Sequence, residues 1–269
     1  MSIIELDEVH FKYPDGTHAL RGVSLSIDAG KKIAVLGHNG SGKSTLFLLL
    51  NGLYIPQSGR YRFNGEDITY TKKQKRELIE KTGIVFQDPE VQLFASTVYK
   101  EISIGPMNLK LSESEVIERI NSAMEKADVT HLKDRPVHFL SYGEKKRVAI
   151  ADILAMKSDV ILLDEPLAWL DSLHEKKVLE ILNSISRDNK TVIMSTHSSD
   201  LAYEWADYIY IFSEGQIAAS GTPEKIFSQK EMLKGAGIEV PFIIQIAEKM
   251  KLEKIPAGKS ELLAMLGER

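Results

Sequence analysis

The chain has 269 residues, enough for one large or two modest domains with ample core. Its 34 basic and 38 acidic side chains leave a formal net charge of −4, so no overall basic surface exists to draw in nucleic acid or anionic lipid. Cysteine is absent, which excludes disulfides, thiolate metal sites and a thiol nucleophile and fits a reducing cytosol.

The first residues, Met1 to Glu8, lack the basic segment and apolar core of a signal peptide. No stretch approaches the roughly 18 uninterrupted apolar residues that a membrane span needs, so the chain is expected to be soluble on its own. Ile3 to Tyr13 alternates apolar and polar residues as a half-buried strand does. Pro14-Asp15-Gly16 is a turn, and Ala19 to Ile27 is a second strand with Leu20, Val23, Leu25 and Ile27 on its apolar side. This is an antiparallel β layer ahead of the core. Tyr13 could stack on an adenine ring or be an ordinary half-exposed strand tyrosine.

The apolar run Ile33-Ala34-Val35-Leu36 enters Gly37-His38-Asn39-Gly40-Ser41-Gly42-Lys43-Ser44-Thr45, and Leu46 to Leu50 follows. A buried strand, a glycine-rich loop and a helix in that order are the context for the phosphate-binding pattern G-x-x-x-x-G-K-[ST]. The glycines let backbone N–H groups turn around an anion, and the helix N-terminus adds partial positive charge. Lys43 is expected to reach the β- and γ-phosphates of a nucleoside triphosphate, and Ser44 to offer its hydroxyl to Mg²⁺.

Beyond the loop, Gly59 to Phe63 reads as a short strand, Lys72 to Glu80 as a polar helix, and Thr82 to Phe86 as a buried strand stopping at Gln87-Asp88-Pro89. Open α/β sheets hold ligands beyond their strand C-termini, which makes Gln87 a candidate Mg²⁺ or water ligand. From Val98 to about Ala127 the pattern is helical, interrupted at Gly105-Pro106, with Ser112 as the cap of a second helix. This insert, roughly residues 88–157, reads as a helical subdomain. Its last helix opens at Leu140-Ser141-Tyr142-Gly143-Glu144, where Ser141 is a cap that could also help bind an anion. Lys145, Lys146 and Arg147 read as a solvated face.

Val160-Ile161-Leu162-Leu163 is a buried strand that delivers Asp164-Glu165 at its tip, and packing does not explain two carboxylates there. Asp164 suits an outer-sphere or water-mediated Mg²⁺ contact, and Glu165 could orient or deprotonate a water attacking the γ-phosphate. Asp171 is most simply an N-cap for the helix from Leu173 to Ser186. The strand Thr191 to Thr196 presents His197 at the same sheet edge, and Ile209 to Phe212 with Gln216 to Ala219 forms a closing hairpin.

The order of phosphate loop, Gln87, Leu-Ser-x-Gly-Glu, Val-Ile-Leu-Leu-Asp-Glu-Pro, Leu-Asp and His197 resembles the ATP-binding-cassette (ABC) ATPases over roughly residues 2–220. The resemblance implies an α/β fold: a P-loop NTPase core of mixed sheet with helices on both faces, an antiparallel β layer and a helical signature subdomain. It implies that Tyr13 stacks on adenine, that the loop from Gly37 to Thr45 holds the phosphates of ATP, and that Lys43 and Ser44 hold phosphate and Mg²⁺. Gln87 would couple the Mg²⁺ site to a membrane partner, Glu165 would be the catalytic carboxylate, Asp171 the D-loop contact and His197 the switch histidine. Ser141 and Gly143 would close over the γ-phosphate bound by the opposite subunit of a head-to-tail dimer.

A narrower resemblance lies in Val85-Phe86-Gln87-Asp88-Pro89-Glu90-Val91-Gln92-Leu93-Phe94, in Glu144 to Ala151 and in Gly221-Thr222-Pro223-Glu224-Lys225-Ile226-Phe227. These are similar to the energy-coupling-factor and cobalt/nickel importer ATPases. Such importers pair two cytosolic ATPases with a membrane coupling subunit and a substrate-capturing subunit, so the implied place is the cytoplasmic face of the membrane. Two departures stand out: Tyr142 takes the place of the first signature glycine, and Leu167-Ala168-Trp169-Leu170 replaces a Thr-x-Gly-Leu pattern. They suggest altered dimer closure or slow turnover. Residues 221–269 form a C-terminal extension with amphipathic patterns at Pro241 to Met250 and Ser260 to Leu266, either packed on the core or used in dimerisation. A Phe94-Ala95 surface is the candidate docking groove for a membrane helix. A soluble cassette acting on nucleic acid or ribosomes and a slow regulatory module are the alternatives; the first normally has two cassettes or a long insert.

Overall fold

The computed structural model describes residues 1–267. The chain opens with two long antiparallel strands, β1 (Ser2–Lys12) and β2 (His18–Asp28), and then enters the central sheet through β3 (Lys32–Leu36). Helix α1 (Lys43–Leu50) follows the glycine loop, and β4 (Ser58–Phe63) and β5 (Glu66–Asp67) return to the first layer. Helix α2 (Lys72–Lys81) leads to β6 (Thr82–Val85). Three helices make the insert: α3 (Val98–Asn108), α4 (Glu113–Lys126) and α5 (Tyr142–Met156). The core resumes with β7 (Val160–Leu163), α6 (Ser172–Arg187), β8 (Thr191–Thr196), α7 (Ser199–Trp205), β9 (Tyr208–Ser213) and β10 (Gln216–Gly221). Four short helices follow: α8 (Pro223–Phe227), α9 (Lys230–Gly235), α10 (Phe242–Lys249) and α11 (Lys259–Gly267).

The strands form two sheets, ordered β2-β1-β4-β5 and β10-β9-β3-β8-β7-β6. In the second, β3 runs parallel to β8 and β9, β7 runs parallel to β6 and β8, and β10 alone is antiparallel. The α/β P-loop architecture implied by the motifs is thus present, with its mixed sheet and antiparallel layer. Alternation along the strands splits the core. Val160, Leu162 and Ile193 face α1 and the antiparallel layer, while Ile161, Leu163, Val192 and Met194 face α5, α6 and the insert. Both faces are covered, which is why β7 reads as an unbroken apolar run.

A third cluster covers the other face of β3. Ala34 and Leu36, with Ile209 and Ile211 of β9, pack against Ile226 and Phe227, Leu233, Ile243 and Ile244, and Leu262. Residues 221–267 are therefore built onto the strand that carries the phosphate loop. Phe242 and Leu263 remain exposed. Among the described residues, no helix is long and apolar enough to cross a membrane.

Two expectations need correction. The helical insert is not interrupted at Gly105-Pro106, because α3 runs through both and stops only after Asn108. Pro106 lies in the last turn, where its missing N–H forfeits one helical bond, and the chain breaks at Lys110 with a positive φ. Nor are Lys145, Lys146 and Arg147 a solvated face. Lys146 and Arg147 are buried, and each donates to carbonyls of distant segments: Phe86 and Gln87 for Lys146, Asp128 for Arg147.

Candidate active site

The loop between β3 and α1 is shaped by contacts that leave no room for a side chain at Gly37 or Gly42. A Cβ on Gly37 would meet the Phe212 carbonyl at 2.2 Å. Gly42, at φ 109, would press a Cβ onto the Ala19 carbonyl at 2.6 Å. The Ser41 carbonyl accepts from Gly215 N at 2.9 Å, so the β9–β10 hairpin steadies the loop from outside. Tyr13 stands beside it, with its hydroxyl 2.8 Å from Thr45 Oγ1 and its ring edge-on to Phe11 and Tyr54.

Lys43 donates to the carbonyls of Gly37 at 2.8 Å and His38 at 3.1 Å, and lies 3.7 Å from Glu165 Oε1. Burial lowers its pKa, opposed by the carboxylates of Glu165 and Asp164. The strand tip after β7 is held by a relay: Ser195 Oγ donates to Asp164 Oδ1 at 2.5 Å and accepts from Glu165 N at 2.9 Å. Asp164 N donates to the Val85 carbonyl, which ties the tip to β6. Glu165 sits at φ 43, a left-handed conformation that costs energy for a residue with a Cβ. One carboxylate oxygen, Oε2, is 3.1 Å from His197 Nδ1, and the other, Oε1, is buried without a hydrogen-bond partner among the described residues. Ser41 Oγ is orphaned in the same way.

Gln87, Asn39, Glu165, Trp169 and His197 line one cleft of about 900 Å³. The structure therefore brings together the phosphate loop, Asp164, Glu165, Gln87 and His197. Ser141 and Gly143 do not line that cleft. Ser141 caps α5, exchanging bonds with Glu144 in a capping box, and Gly143 lies against the His174 ring. Asp171 caps α6 and also accepts from the His174 ring at 2.8 Å. Gly40 turns the loop at φ 80, while His38, Asn39, Gly40 and Ser44 are all exposed at its rim.

Sequence reading passed over Ser195, whose only signal was a hydroxyl next to the end of an apolar strand, and Lys146, which nothing local distinguishes from a surface lysine.

The ABC transporter family model matches residues 20–168, more than half of the chain. The chain belongs to the ABC transporter family. Among its relatives is a putative ABC transporter ATP-binding protein of Methanothermobacter thermautotrophicus, 43% identical over 253 residues that cover 94% of this chain and 90% of that one. An energy-coupling factor transporter ATP-binding protein of Carboxydothermus hydrogenoformans is 43% identical over 245 residues, covering 91% and 90%. Against a Methanosarcina mazei putative ABC transporter ATP-binding protein, identity is 43% and the match spans 97% of this chain but 57% of the longer relative. The solved structure of CbiO1 from Clostridium perfringens, described as part of the ABC transporter complex CbiONQ, superposes with a TM-score of 0.79 at 39% identity, covering 93% of this chain and 99% of that one.

Proposed function

We propose that this chain is the ATP-hydrolysing subunit of an energy-coupling-factor-type importer, powering uptake of a transition-metal ion such as cobalt or nickel, or of a vitamin. The observation that carries the ATPase reading is the meeting of Lys43, Glu165 and His197 at the mouth of one phosphate loop. The likeness to energy-coupling factor ATPases and to CbiO1 supports the transport reading.

The residues fit a nucleotide. The Lys43 ammonium, resting on two loop carbonyls, is the cation that the β- and γ-phosphates would meet, and Ser41 Oγ is an unpartnered donor beside it. Tyr13 would stack on the adenine ring. No group of three His, Asp or Glu that could hold a metal occurs among the described residues, and the donors available are the Ser44 hydroxyl, the Gln87 amide and Asp164 through water. Mg²⁺ held there together with phosphate oxygens would neutralise charge developing on the γ-phosphate. Glu165 Oε1 would accept a proton from the attacking water, while His197 fixes Oε2 so that the carboxylate cannot swing away.

The start of α5, with Ser141 exposed and Gly143 buried behind it, and the exposed Asp171 at the start of α6 would complete the site of a second ATPase subunit, the same or homologous, in a head-to-tail dimer. Leu93, Phe94, Ala95, Val137 and His138, with the ion pair of Glu90 and Lys145, line a second groove in which Phe94 is 78% exposed. That groove suits a helix of an integral membrane coupling subunit, which would place this ATPase at the cytoplasmic face of the membrane beside a substrate-capturing subunit. The exposed Phe242 and Leu263 on the last helices would contribute to dimerisation.

Tagging the protein in its native cell and extracting membranes gently tests this directly. Co-purification of a multi-helix membrane subunit supports the importer, and a second, different ATPase would identify a heterodimer. Recovery of only ribosomal or nucleic-acid partners would replace the transport role with the soluble alternative.

A further inference from the structure

The segment that follows β6 is fastened to α5. Tyr142 Oη donates to the Gln87 carbonyl at 2.9 Å. Lys146 Nζ donates to the same carbonyl at 2.5 Å and to that of Phe86 at 3.2 Å. Gln92 accepts from Phe86 N and donates to the Ala149 carbonyl, and Lys145 pairs with Glu90 at 2.5 Å. Residues 86–92 and α5 are thus stitched into one body.

Within that body Gln87 is a lever. Its carbonyl is gripped by two side chains of α5, while its side chain makes no hydrogen bond with the described residues and its body lines the phosphate-facing cleft. The grip is fixed from behind. The Tyr142 ring meets Trp169 edge-on at 5.7 Å, and the Lys146 ammonium lies 5.6 Å from the Tyr142 ring centroid. A glycine at this position, the residue the signature pattern leads one to expect, would have no side chain to reach Gln87.

Resting on the ATPase reading above, we propose that Tyr142 and Lys146 are positioning residues that pass the state of Gln87 in one ATP site to the Ser141 end of α5, which serves the other. The Tyr142 hydroxyl points into its own chain. Its removal therefore loosens the grip without altering a surface offered to a partner.

The test compares the full-length wild type with Tyr142→Phe and Lys146→Met. Mg-ATP binding is followed by tryptophan fluorescence, amide hydrogen exchange at residues 142–147 is measured with and without Mg-ATP, and steady-state hydrolysis is recorded. The expected result is unchanged ATP affinity in all three proteins and slowing of exchange by ATP in the wild type. In each variant that slowing shrinks, and kcat falls at constant KM, about fivefold for the one hydrogen bond lost in Tyr142→Phe and at least as much for the two lost in Lys146→Met. An ATP response and kcat equal to wild type in both variants overturns the inference alone. So does a lowered melting temperature with the ATP response of the folded protein intact, since that is a merely structural role. A wild type that binds no ATP removes the ATPase reading itself, and the inference with it.

Discussion

Lys146 offers a way to measure what burial of a cation costs this fold. It is fully buried, and desolvation holds its pKa at about 8 instead of 10.5 against the pull of Asp164 and Asp88. Between those values the unfolded chain keeps the proton and the folded chain sheds it, so stability rises with pH. Below about 8 both states are charged and the whole penalty is present, about 3 kcal/mol at 1.36 kcal/mol per pH unit. From pH 7.5 to 9.5 the recovered part is about 2 kcal/mol. Lys146→Met has no such proton to lose. Urea denaturation at both pH values is therefore expected to show wild type gaining about 2 kcal/mol more than the variant. Lys43 titrates in the same direction but is common to both proteins and cancels. The buried tyrosines Tyr61 and Tyr70, raised above 10, would act in the opposite direction only at higher pH. Equal gains in the two proteins would refute the claim that Lys146 is held charged in a poorly solvated place.

Glu165→Gln keeps the shape of the cleft and removes the base; ATP hydrolysis is expected to fall by roughly 10² to 10⁴ while nucleotide binding persists, read by phosphate release and by equilibrium binding. Gly143→Ala would drive its Cβ to 2.3 Å from the His174 ring, so a loss of about 1–3 kcal/mol is expected in thermal denaturation, with recovery when His174→Ala is added. Lys157 ends α5 at φ 56 with its side chain exposed, and Lys157→Gly is expected to stabilise the protein by about 1 kcal/mol, raising Tm by about 2–4 °C.

What the sequence disclosed was whatever is written locally. The loop from Gly37 to Thr45 is contiguous, Asp164-Glu165 ends an apolar run, and Ser112 and Ser141 sit three residues before the glutamates of their capping boxes. The observed strands start and stop within a residue or two of the apolar runs. Lys146 and Arg147 were misjudged because their partners, Gln87 and Asp128, lie 59 and 19 residues away. A helix buried on most of its circumference has no free face to reveal by periodicity. Ser195 escaped notice for the same reason: its value lies in the strand beside it, where it joins Asp164 to the backbone of Glu165. Pro106 looked like a break because proline ends helices from inside, yet in a final turn it removes little.

The covering of β3 by the last helices has a consequence for how the protein is made. The strand that launches the phosphate loop is translated well before its cover, because Ala34 and Leu36 pack against Ile243, Ile244 and Leu262, far downstream in the chain. Until those helices are made, that face, joined by Ile209 and Ile211, stays uncovered and adhesive. A stop codon near residue 220 would leave it so permanently, making aggregation during expression, more than loss of chemistry, the expected fate of a shortened chain.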